Sequence, residues 1–445
     1  MTGLPTPQSD HSVGANGRDD VREPHFAVLA DDLTGAADAA VALAGPARDA
    51  EIHLALPQDP QSGAAVMAID LDTRRMPVDA ARSVTARCAS SLVSSHRHLF
   101  KKIDSTLRGH IGAELAALYR QAWPACDRGS HGQTHLCIVA PAHPLMGRFM
   151  RSGRLTIQDA TTGANLSSRA TGGTTLSDQL QASGFTCTPL HVDDIRRCSP
   201  AQLTRLIEHS AKHDMAALVC DGESMEDLHR IVRAALASNT RSIWVGSGGL
   251  AQALSASHAP SHTDPAVSPH LFVKPKEGSQ LFVVGSYSEV ARRQVEALRA
   301  SSNVGLLALS AEELLDSGLA AQRNTLDTWL TEGRDVVVTV RPDGPIRPEL
   351  SLHLATGLAR LIAPTVGRLG ALVCCGGDTS RALFDALGLV RIRARQAHET
   401  GVTHIHADTW PTLPIVLKAG AFGDAHTLAR LRHRLAASTI DATTP

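Results

Sequence analysis

Aromatic residues account for only 3% of the 445 positions. So few rings leave little with which to stack bases, which argues against a single-stranded nucleic-acid platform. Charge of one sign is also missing: 43 Lys and Arg face 44 Asp and Glu, for a formal net charge of −1. The broad basic field that binds nucleic acid or an anionic membrane is therefore excluded. No apolar run is long enough to span a bilayer. The opening MTGLPTPQSDHSVGANGRDDVREP has no apolar core segment of the signal-peptide type, and residues 1–24 read as a disordered tail. The eight cysteines form no CxxC pair. Cys137, Cys220, Cys374 and Cys375 lie in apolar runs, as small buried residues of a reducing cytoplasm would. No GxGxxG follows the first predicted strand, which counts against a dinucleotide-dependent dehydrogenase.

What is present is a repeating alternation of short buried strands and amphipathic helices. Strands are expected at 26–30, 65–71, 99–104, 135–141, 216–221 and 242–247. Helices are expected to start after Gly35 and at 78–93, 111–122 and 225–238. Residues 256–278 lose this periodicity and are rich in Pro, Ser and His, so they read as a linker. A second unit follows, with strands at 281–288, 335–340 and within 370–375 and 413–418 and a helix at 289–301. The fold class is α/β in two domains, 25–255 and 279–436, each a mostly parallel sheet flanked by helices. Ligands of such sheets sit beyond the carboxyl ends of the strands, which places an active site in the interdomain cleft.

The polar residues at those strand ends differ between the halves. The first half offers Asp31, Asp32, Arg74, Lys101, Lys102, Asp104, Ser105 and Arg108. Cations pair a carboxylate, and Asp and Ser bind hydroxyls, so this set suits a small polyol acid. The second half offers Gly285, Ser286, Ser288, Gly376, Gly377, Thr379, Gly420 and Gly423. In GALVCCGGDTSRALFDALG, 370–388, a strand, a Gly-Gly turn and a helix N-terminus follow one another, presenting backbone N–H groups to a phosphate. Taken alone, that turn could be an ordinary capped βα turn. Together the halves suggest phosphoryl transfer across a cleft. A non-catalytic small-acid sensor would explain the first half but not the Gly-Gly-Asp-Thr turn. His404, His406 and Asp408 alternate along one stretch and are a weak candidate for a metal site; no metal ligand is otherwise assigned.

The motifs ADDLTGAADAA (30–40), DTR (72–74), KKIDSTLRGHIGAEL (101–115), APAHPLMGR (140–148), GSGGLA (246–251), VVGSYS (283–288), CGGDTSRAL (375–383) and LKAGAFGD (417–424) occur in that order. In this set the chain resembles the four-carbon acid sugar kinases, over about 26–435. The resemblance implies ATP, with Mg²⁺, as phosphoryl donor, a small-molecule sugar acid as acceptor, and transfer to its terminal hydroxyl. D-threonate is the preferred acid, with D-erythronate or 3-oxo-tetronate as alternatives. It also implies that Asp32, Arg74 and Lys102, Ile103, Asp104 and Ser105 meet the substrate. Ser286, Gly376, Gly377, Asp378, Thr379 and Gly420 would meet ATP. Asp104 and Asp378 are the candidates for the carboxylate that activates the hydroxyl, with Arg108 or Lys418 stabilising the transferred charge. The polar tail before Phe26, and His143 with Leu145 and Met146 in the fourth motif, depart from the usual pattern. A cytoplasmic enzyme without nucleic-acid or membrane partners is expected, with homo-oligomerisation left open.

Overall fold

The computed structural model describes residues 26–45, 50–57, 64–93, 98–124, 134–158, 165–167, 174–258, 278–300, 303–316, 318–341 and 348–437. The tail 1–24 lies outside these ranges. Of the expected linker, Ala256, Ser257 and His258 close the helix Gly248–His258 instead; the stretch 259–277 is outside the described residues.

Strands such as Phe26–Ala30, Val66–Asp70, Ala216–Cys220, Gln280–Val284 and Ala371–Cys375 are apolar on both faces and buried along their whole length. A strand of that kind is stable only with helices on both sides of the sheet. The strands of both halves join in one fifteen-stranded sheet. Its C-terminal portion runs, from the edge, Val304–Leu309, Asp335–Val340, Gln280–Val284, Ala371–Cys375, Trp410–Lys418, Val402–Ala407, Arg391–Glu399. The N-terminal portion continues Ala50–His53, Val66–Asp70, Phe26–Ala30, His98–Lys102, Thr240–Gly246, Thr134–Ala140, Ala216–Cys220, Thr186–Leu190. All pairings within the N-terminal portion are parallel. The junction is antiparallel, Ile392 opposite Ile52, and two further antiparallel pairings precede it.

Three antiparallel steps reverse the strand direction between the halves, so a flat sheet would put their carboxyl ends on opposite edges. Strands twist by roughly 20–25° per step, which over the steps from Ala371–Cys375 to Phe26–Ala30 turns the sheet by well over 100°. Both sets of carboxyl ends accordingly line one cavity of about 990 Å³. A separate three-stranded ribbon, Arg148–Arg151, Arg154–Gln158 and Asn165–Ser167, stands at its side. The ribbon is anchored by the buried Asp221 carboxylate, which accepts from the backbone N–H groups of Ser152 (2.7 Å) and Gly153 (2.9 Å).

Candidate functional site

On the N-terminal side the site begins where the strand Phe26–Ala30 ends. Asp32 caps the helix Leu33–Ala44: its carboxylate accepts from the Gly35 N–H at 3.0 Å and from the Thr34 hydroxyl at 2.7 Å. Arg74 reaches across from the next strand end. Its Nε and Nη2 donate to Asp31 at 2.8 and 2.9 Å, and Nη2 also donates to Asp32 at 2.9 Å. Burial works against the charge of Asp32, but Arg74, Lys102 and Thr34 outweigh it and hold the carboxyl below its ordinary range. Asp104 is likewise buried, yet the Arg108 fork at 2.6 and 3.1 Å, the charge of Arg74 and the Thr106 hydroxyl keep it well below that range. Arg74 and Arg108 are thus engaged by the protein's own carboxylates.

Asp32, Arg74, Lys102, Asp104, Ser105 and Arg108 all line the cavity. Asp31 and Ile103 do not. Asp31 serves as the anchor of Arg74, and Ile103 is 1% exposed in the core. Lys101 points to the other face of its strand and forms a fully buried ion pair with Glu114 at 2.6 Å. Neighbouring strand residues alternate in direction, so only one lysine of the pair can face the cavity.

On the C-terminal side the three Gly-rich turns pack against one another. A Cβ on Gly285 would collide with the Thr379 hydroxyl, and one on Gly420 with the Ser286 hydroxyl. Gly376 sits at φ 109°, a conformation side chains rarely adopt, and it precedes the helix Gly377–Ala386 without any side-chain cap. A helix start without a side-chain cap can receive an anion on its first N–H groups, and the close glycine packing keeps side chains out of the way. Ser286, Gly376, Gly377, Asp378, Thr379 and Gly420 line the same cavity as the N-terminal residues. Lys418 does not reach it. Fully buried, it donates to the carbonyls of Ala419 (3.0 Å) and Gly420 (3.4 Å) and so supports the last turn from beneath.

The halves touch through the site itself. A Cβ at Gly377 would lie 3.0 Å from Asp32 Oδ2 and 3.5 Å from Thr34 Oγ1. Arg75 Nη2 stands 2.6 Å from Asp378, and Arg381 Nη1 donates to the buried Asp70 at 2.8 Å. Asp38 lines the cavity; burial raises its pKa, with Lys102 and the Gly401 backbone opposing. His143, 1% exposed, packs edge-on to Phe422 with ring centroids 6.5 Å apart. Burial, with Lys102 and Arg148 adding, pushes its pKa down to about 3, so the ring is neutral near pH 7.

Asp38, Arg75, His143, Arg148 and Phe422 were not singled out from the sequence as site residues. One signal was available: Asp38 is the sole charged residue of the Ala-rich helix LTGAADAAVALA, and a lone charge on an otherwise apolar helix needs a reason. Among the described residues no group of three or more His, Cys, Asp or Glu side chains is placed to hold a metal ion. Asp408 is occupied by Arg391 and Arg393 and lies 3.8 Å from His406, while His404 stacks on His398, so the three do not form a metal-holding group. Asp378, the carboxylate beside the turn, is paired with Arg75. No helix among the described residues is long and apolar enough to cross a membrane.

Residues 26–254 match the family model described as a sugar-binding N-terminal domain, and residues 281–428 that of a nucleotide-binding C-terminal domain. The chain is 32% identical to a D-threonate kinase of Cupriavidus necator over 408 residues, 89% of this chain and 94% of that one. It is 25% identical to a D-erythronate kinase of Heliobacterium modesticaldum, over 89% and 94% of the two chains. A solved structure from Salmonella typhimurium LT2, described as a tRNA synthase, superposes with a TM-score of 0.70 at 19% identity, covering 92% of this chain and 99% of that one, a likeness of fold alone. The order of motifs, the two matched domains and the identity along nearly the whole length agree: the chain belongs to the four-carbon acid sugar kinase family and is a phosphotransferase.

Proposed function

We propose that the protein transfers the γ-phosphoryl group of ATP, accompanied by Mg²⁺, to the terminal hydroxyl of a four-carbon sugar acid, D-threonate before D-erythronate or 3-oxo-tetronate. The observation that carries this reading is the approach of Asp32 to Gly377: a carboxylate of the sugar-binding half lies against the first residue of the helix at the phosphate turn. A hydroxyl bound by Asp32 would stand in line with a phosphate held on that N-terminus. Phosphoryl transfer asks mainly for such positioning and for charge stabilisation.

In this reading Asp32 accepts the proton of the attacking hydroxyl, while the Thr34 hydroxyl, the Gly35 N–H and Arg74 fix the orientation of its carboxylate. Asp104, with both carboxylate oxygens forked by Arg108, accepts hydrogen bonds from substrate hydroxyls. Asp378, tied to Arg75, sits beside the phosphates. When bound, magnesium supplies neutralisation of the phosphate charge. The preference for D-threonate rests on the named relatives at the higher identity.

A coupled ADP-release assay with D-threonate, D-erythronate, 3-oxo-tetronate and neutral D-threose tests the reading. The acids should exceed threose by about ten- to a hundredfold in kcat/KM, since a lost charge-assisted hydrogen bond costs about 1.5–3 kcal/mol. Equal turnover of threose, or no turnover of any acid, would refute it.

A further inference from the structure

Resting on that kinase reading, we propose that Arg148, the first residue of the ribbon beside the cavity, is the group that receives the carboxylate of the sugar acid. The other arginines lining the cavity are already committed: Arg74 to Asp31 and Asp32, Arg75 to Asp378, Arg108 to Asp104. Arg148 is 8% exposed and lines the same cavity. One Nη donates to the Met146 carbonyl at 2.7 Å, and Nε has no hydrogen-bond partner. No carboxylate among the described residues pairs with it, and burial lowers its pKa. A guanidinium held out of water without a counter-ion is unfavourable until an anion arrives, and its planar fork matches a carboxylate with two parallel hydrogen bonds.

Its surroundings suit a ligand end rather than a structural pair. The Phe422 ring, from the C-terminal half, lies 5.0 Å from the guanidinium carbon and covers one side of it. Beside it the His143 ring is buried and neutral, with neither nitrogen bonded. That ring can donate to or accept from a hydroxyl next to the bound carboxylate. The Asp104 carboxylate favours the charge of Arg148, and Arg108 opposes it. A four-carbon acid would then lie with its carboxylate on Arg148, its middle hydroxyls along Asp104, and its terminal hydroxyl on Asp32. Lys102 donates to the Ile103 carbonyl, and its ammonium lies with Asp32 beside Gly35, at the other end of the acid.

The test uses the full-length enzyme and Arg148→Met, which keeps most of the side-chain stem over Phe422 and removes the charge. KM for D-threonate and D-erythronate should rise about ten- to a hundredfold. The kcat values and KM for ATP should stay within about threefold of wild type, and the preference for the acids over D-threose should collapse. Equal losses with acids and threose would overturn the assignment, in favour of a structural role or of contact with the transferred phosphoryl group. So would an unchanged KM for the acids. Should Arg148→Met not fold, Arg148→Lys reads the same split: loss of the fork alone is expected to raise KM for the acids about tenfold and leave threose unaffected. A wild-type enzyme that releases ADP with none of the four-carbon acids would instead discard the kinase reading, and this proposal with it.

Discussion

The two sides of the cavity are built from different materials. The N-terminal side is made of charged side chains that hold one another: Arg74 between Asp31 and Asp32, Arg108 on Asp104. The C-terminal side is made of backbone, with Gly285, Gly376 and Gly420 packed too closely for a Cβ at two of the three. The difference follows from what each side is expected to meet. A polyol acid presents hydroxyls at fixed angles, which pre-oriented side chains can read. A phosphate chain presents diffuse negative charge, which a helix N-terminus can meet without any charged residue.

Substitutions on the two sides should therefore fail in different ways. Asp32→Asn keeps the shape and removes the carboxylate proposed to accept the proton. It should lower kcat by about 10²–10⁴-fold, with ATP binding measured by calorimetry unchanged. A kcat within a few fold of wild type would remove Asp32 from the chemistry. Gly285→Ala should do the reverse. A methyl group driven into the Thr379 hydroxyl displaces the phosphate cradle, where a shift of about 1 Å can cost on the order of a hundredfold. The loss is expected in KM for ATP, with acid binding in the absence of nucleotide preserved. Gly377→Val tests both sides at once, because its side chain would crowd Asp32 as well; ATP and acid binding should both suffer, and intact ATP binding would misplace the nucleotide.

A last test concerns the contact between the sides and reads stability instead of turnover. An unfolded aspartate titrates near 3.9. In the folded chain burial pushes Asp70 up to about 7, with Arg381 opposing and Asp72 adding. Between those values the folded state holds the extra proton, so stability should fall as pH rises from about 4 to about 7 and level off above. The slope is at most roughly 1.4 kcal/mol per pH unit. Asp70→Asn should flatten this dependence in thermal unfolding followed at pH 5, 6 and 7. The same slope in wild type and variant would assign it to other groups.

Much of this was legible in the sequence because strands buried on both faces announce themselves. The helix Ile111–Ala122 and the strand Asp335–Val340 fall where periodicity put them. The joining strands were harder. Arg391–Glu399, RIRARQAHE, carries charged and polar residues at most positions, and its pairing with Ala50–His53 is fixed by tertiary packing that no local pattern records. The cavity lining was legible where residues sit directly at strand ends, as Asp32, Lys102 and Asp104 do. His143 and Arg148 were not legible in this way. Their significance comes from the company they keep, Phe422 from nearly three hundred residues later in the chain and a cavity that exists only once both halves are in place.

The shared sheet has a consequence for how the chain is made. The N-terminal portion is complete at His258, yet its strand Ala50–His53 obtains its second neighbour only when Arg391–Glu399 has been synthesised. At roughly 5–20 residues per second, that leaves a bare strand edge on the ribosome for on the order of ten seconds. An unpaired edge is a template for pairing with another chain. The nascent protein therefore passes through an interval in which that edge is open to its own later strand and to a neighbour's alike.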